Sequence, residues 1–108
     1  MGLYGQYFKA IIEGKKKIEV HLNDEKGRKI KVGDIIEFIK ISEQDDTLQV
    51  QVTELRTYDT FKEMYKDIPF KEFDCEDWTM KEMIDGTYDI YTPEQEREWG
   101  ALAITIKY

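Results

Sequence analysis

Cysteine, histidine and proline are scarce in this chain, and each scarcity closes off a class of function. The single cysteine, Cys75, permits neither an intrachain disulfide nor a cysteine zinc site. The single histidine, His21, excludes a multi-histidine metal centre, since zinc takes three or four protein ligands. No metal and no cofactor are therefore expected. With 2 prolines and 7 glycines in 108 residues there is no linker at which to divide the chain, so one domain over residues 1–108 is expected. Apolar runs stay far below the roughly 18 residues that cross a bilayer. The opening MGLYGQYFKA lacks a basic region followed by an apolar one, and Gln6 breaks the myristoylation pattern. No membrane contact and a cytoplasmic location follow as expectations. Walker loops, dinucleotide-binding glycine patterns and a Ser-His-Asp order are also missing.

What is present is charge, unevenly spread. The net charge of −7 argues against a broad basic surface that coats nucleic acid. Residues 1–41 carry 9 lysines and arginines against 6 acids, a balance of +3, whereas residues 42–108 carry 7 against 17, a balance of −10. An anionic partner should therefore meet the first third of the chain.

The apolar residues are spaced for a mixture of helices and strands. Tyr4, Phe8, Ile11 and Ile12 share a helical face that ends at Gly14. KIEVHL, residues 17–22, alternates with period two: Ile18, Val20 and Leu22 on one side, Lys17, Glu19 and His21 on the other. NDEKGRK reads as a turn, and a tight turn at Gly33-Asp34 opens a strand over residues 35–41. Another strand covers 48–58, with a slip in alternation that predicts a bulge near Thr53 and Glu54. Short polar loops between these three strands predict a meander. Helices are then expected over 60–68, capped by Asp59 or Thr60 and stopped by Pro69, and over DCEDWTMKEMIDG, ending near Gly86. A third starts at Thr92, with Pro93 and Gln95 completing an N-terminal signature, and ends at Gly100. The final ALAITIKY alternates again and should return to the first sheet, where open edges can bury it. The expected class is α+β, a small, partly closed, mixed β-barrel flanked by short helices.

Chemistry concentrates in GKKKIEVHLND. Glu19 and His21 on a solvated strand face would need no further explanation. Both faces of a strand in a small barrel tend to be covered, however, and covered charges need partners, which Lys15, Lys16 and Lys17 can supply. Tyr58, Phe61, Tyr65, Tyr88, Tyr91 and Trp99 read as core or groove lining, and one exposed ring near the lysines would suit a stacked base. In the acidic run KEFDCEDW, Glu76 beside Trp78 is the carboxylate to follow.

GKKKIEVHLND, KVGDIIEF, RTYDTFKEMY and YTPEQEREWGALAI, taken in order over nearly the whole chain, resemble the ASCH (activating signal cointegrator homology) family of the PUA-like superfamily. The resemblance implies a small β-barrel with flanking helices. The family pattern is G-x-K-x-x-E-x-R followed by a K-x-G-D turn. Gly14, Lys16 and Glu19 match it, Lys31, Gly33 and Asp34 supply the turn, and His21 stands where arginine is usual. Arginine forks onto phosphate or carboxylate, while neutral histidine offers one donor and one acceptor. Two functions follow from the resemblance. The first is binding of RNA or a nucleotide-type ligand in a cleft beside this strand, with Lys16 and Lys17 drawing phosphate and Glu19 and His21 bonding a base or sugar edge in a shared hollow. The second is an amidohydrolase acting on an acylated nucleoside such as acetylcytidine, with a lysine, a threonine and a glutamate. There the lysine falls on Lys16, Glu19 replaces the threonine nucleophile, and Glu76 supplies the glutamate. Lost threonine places binding ahead of hydrolysis.

Overall fold

Among the described residues, alternating apolar residues form five strands, and helical spacing forms five α-helices and one 3-10 turn. The computed structural model describes residues 2–3, 5–40 and 46–108, with side chains over 6–40 and 46–108. Tyr4 and Ile41, expected in the first helix and the second strand, lie outside the described residues. In chain order the elements are β1 (Gly2–Leu3), α1 (Gly5–Ile12), β2 (Ile18–Leu22), α2 (Glu25–Arg28), β3 (Ile35–Lys40) and β4 (Thr47–Tyr58). Then come α3 (Phe61–Asp67), the 3-10 turn (Phe70–Glu72), α4 (Met80–Tyr88), α5 (Pro93–Trp99) and β5 (Ala101–Lys107).

One sheet holds all five strands in the order β1-β3-β4-β5-β2. Four antiparallel strands curl into a half-barrel, and β1 joins β3 in parallel, so the expected mixed barrel is present. The meander is not. β3 and β4 pair as neighbours, but β2 sits at the far edge against β5, with Glu19 opposite Ile104 and His21 opposite Leu102. The reason lies in β5, whose residues Ala101 to Ile104 are all buried. A strand covered on both faces belongs inside a sheet and needs a neighbour on each side.

The two faces of β5 divide the core. Leu102, Ile104 and Ile106 pack with Phe38, Leu48, Val50 and Val52 beneath Phe8 and Ile11 of α1. Ala101 and Ala103 instead meet Phe61, Met64, Tyr65 and Ile68 from α3 and its C-terminal end, with Met83 of α4. Small residues there let the helices approach, and each large apolar side chain buried this way contributes roughly 1.5–3 kcal/mol. The predicted bulge is present, with the register shifting between Val52 and Glu54. It keeps Leu55 in contact with the α1-side core after the slip.

Three local details differ from the sequence reading. Ile12 does not share the buried face of α1 but is 44% exposed, one step past Ile11 on the helical wheel. Residues read as a turn contain α2, because the Asp24 carboxylate accepts from the Gly27 amide and caps it. A Cβ at Gly27 would lie 2.3 Å from the Leu22 carbonyl oxygen, so glycine is what lets α2 close onto β2. The helix expected to start in DCEDW begins only at Met80, where Thr79 and Glu82 form a capping box, and it runs past Gly86 to Tyr88. Of the two caps expected for α3, Thr60 is the one used.

Candidate functional site

Antiparallel register decides which way β2 presents its groups. The Ile106 amide bonds to the Lys17 carbonyl and the Asn23 amide to the Gly100 carbonyl, so residues 17, 19, 21 and 23 turn their backbone toward β5. Ile18, Val20 and Leu22 therefore point theirs outward, along the sheet edge. Each outward carbonyl has a side-chain donor. Lys16 Nζ donates to Ile18 O at 2.9 Å, Tyr91 OH to Val20 O at 3.4 Å, and His21 Nδ1 lies 2.7 Å from Leu22 O.

Lys16 and Glu19 are brought together here. Lys16 is buried, its Nζ 3.6 Å from Glu19 Oε2 and 5.7 Å from the centre of the Tyr7 ring. An ammonium taken out of water requires such partners. Glu19 Oε2 is itself buried without a hydrogen-bond partner. Glu19 and His21 share the strand face of Ile104 and Leu102 and are half-buried. His21 Nδ1 also lies 3.8 Å from Asp24 Oδ1.

Lys17 is exposed, 4.0 Å from Glu72 Oε2. With Lys16, Lys107 and the acid Glu13 it lines a hollow of about 350 Å³ whose apolar lining is Ile11, Ile12 and Ile106. Glu19 and His21 are not in its lining. The cations thus border a cavity, and the acid and imidazole follow along the strand beside it. Glu76 lies in the loop before α4, exposed, and hydrogen-bonds neither Lys16 nor Glu19. A larger hollow, about 570 Å³, at the other end of β2 includes Asn23, Arg28 and Trp99 but none of these residues.

Aromatic hydroxyls and one thiol complete the surroundings. Burial pushes Tyr91 up to about 12, with the negative charges of Glu19 and Asp24 adding to the effect. Burial likewise pushes Tyr65 up to about 12, although its bond to Thr87 Oγ1, 2.7 Å away, works in the opposite direction. The Cys75 thiol is raised by burial, against the lowering influence of Lys16. All three therefore stay protonated at neutral pH and act as hydrogen-bonding groups, not as anions. Among the described residues, no group of three His, Cys, Asp or Glu side chains is placed to hold a metal ion. Sequence reasoning missed Tyr7, Asp24 and Lys107. Asp24 had a local signal, a capping residue three before a glycine amide; the other two meet β2 only through tertiary packing.

A curled half-barrel with flanking short helices, carrying a buried lysine and a glutamate three residues apart at its edge strand, defines a PUA-like domain. The family model for the ASCH domain matches residues 1–108, and the chain belongs to that family. Among solved structures, the crystal structure of the hypothetical protein PH0355 is 36% identical with a TM-score of 0.84, covering 99% of this chain and 94% of that one. The solution structure of protein PF0455 from Pyrococcus furiosus is 33% identical with a TM-score of 0.77, covering 99% and 93%. No curated protein matches the chain. Among the described residues, no helix is long and apolar enough to cross a membrane.

Proposed function

We propose that this ASCH domain binds a nucleotide or a short single-stranded RNA element along the Lys17–Glu19–His21 face of β2. The observation that carries the reading is the Lys16–Glu19 pair. Glu19 Oε2 is enclosed against the buried ammonium, while Oε1 makes no hydrogen bond and is not among the enclosed atoms, so it is the oxygen left to accept from an outside donor. Next to it, Lys17 and Lys107 border the hollow, where a phosphate finds cations over an apolar floor. Unpaired RNA is favoured over duplex because base edges must reach half-buried side chains.

Hydrolysis of an acylated nucleoside asks for more than this. It needs Glu76 beside Lys16 and Glu19, and Glu76 is exposed in the loop before α4 with no bond to either. Neither does the site hold a threonine at the strand position from which the nucleophile would act.

Calorimetric titration with a short single-stranded RNA and with nucleoside monophosphates tests the reading. Removing the carboxylate in Glu19→Ala should weaken binding by about 10- to 100-fold, the size of a lost charge-assisted hydrogen bond. Lys17→Ala combined with Lys107→Ala should also weaken it. Unchanged affinity in both variants would end the proposal. Acetate release from acetylcytidine that disappears in Lys16→Ala would put hydrolysis in its place.

A further inference from the structure

His21 is confined to one tautomer. Its Nδ1 lies 2.7 Å from the Leu22 carbonyl oxygen, an atom that can only accept. Nδ1 therefore carries the proton, and in the neutral ring Nε2 keeps a lone pair. Nε2 has no hydrogen-bond partner and is not among the enclosed polar atoms, so it opens to solvent. Glu19, two residues earlier on the same strand face, also accepts without donating. The edge thus offers two acceptors in a row.

Their spacing narrows the ligand. Residues two apart on a strand are about 6.5–7 Å apart. That is too wide for two adjacent donors on one base edge, and it suits a ribose hydroxyl and the base amino group of one nucleoside. The order along β2 agrees: first the hollow with Lys17, then Glu19, then His21. A 5′-nucleotide presents phosphate, ribose and base in the same order.

We infer that β2 reads a 5′-ribonucleotide lengthwise: phosphate in the Lys17–Lys107 hollow, a ribose hydroxyl donating to Glu19, and an exocyclic amino group donating to His21 Nε2. The site then selects amino-bearing bases over uracil. This rests on the binding reading above. The groups around the ring are Asp24 at the start of α2, Tyr91 with its ring centre 6.1 Å away, and Glu19 on β2 itself. Arg28 of α2 is turned to the Trp99 ring, and β5 brings only Leu102 opposite His21.

CMP and UMP differ at C4 in this amino-for-carbonyl exchange, so they are the probes. CMP should bind about fivefold tighter than UMP, one neutral hydrogen bond's worth. His21→Arg, whose side chain only donates, should show no CMP preference. The wild-type comparison decides the matter even if that variant does not fold. Equal wild-type affinities, or a CMP preference that survives in His21→Arg, would overturn the inference. Failure of both nucleotides and of short RNA to bind would instead remove the binding reading beneath it.

Discussion

Glu96 is a buried acid whose two oxygens are both engaged. Oε2 accepts the Phe61 amide at 2.8 Å and Oε1 accepts the Tyr88 hydroxyl at 2.7 Å, so one side chain on α5 ties the first turn of α3 to the end of α4. Its bond also raises Tyr88 above the ordinary phenol value. Glu96→Ala leaves the Phe61 amide buried without a partner and should cost about 2–4 kcal/mol in urea unfolding, with Glu96→Gln costing less. A loss under about 0.5 kcal/mol would show that water replaces the carboxylate there. Nothing in the sequence marked this residue, because TPEQEREWG announces a helix start and not a burial. Glu19 and His21 were legible for the opposite reason. Period-two alternation alone puts them on one face, and a small barrel covers both faces of a strand. Tyr91 was not, since it reaches His21 only through folding, whereas Asp24, three residues on, had a local signal that went unread.

β2 is an edge strand whose outward carbonyls are all capped by side chains. An uncapped edge invites another strand, and donors from Lys16, Tyr91 and His21 occupy the acceptors such a strand would use. Lys16→Met combined with Tyr91→Phe removes two of the three donors while preserving bulk. Gel filtration should show that variant shifting to larger species with rising concentration relative to the wild type. An unchanged elution profile would mean that the backbone bridge between Lys16 and Phe73 already closes the edge. The strand itself could be read from its alternation, but not its place. β2 pairs with residues 101–105, some eighty positions later, and no local pattern encodes a register over that distance. The start of α4 failed differently. The signal T-x-x-E was present at Thr79 and Glu82, and the acidic residues before it imitated a first turn.

Fold class was legible at the scale of the molecule because it follows from periodicities: three strands, a helical block, and a last strand whose apolar face needs burial. The division of charge was equally legible, and it sets the kind of binding available. With a net charge of −7, the cations of the first third, those around β2 among them, offer an anion the more favourable field, while the acids of residues 42–108 repel a polyanion elsewhere. The proposed RNA would then meet the protein at one narrow place. Single-strand binding loses affinity with salt at a slope of about −0.7 per phosphate neutralised, and the hollow's Lys17 and Lys107 supply two such contacts. A plot of log affinity against log salt for a short RNA should then fall with a slope of about −1 to −2, flattening in Lys17→Ala. A slope near −5 or steeper would require cations spread well beyond the hollow, and the ligand would have to lie across the lysines and arginine of residues 26–31 instead of along β2.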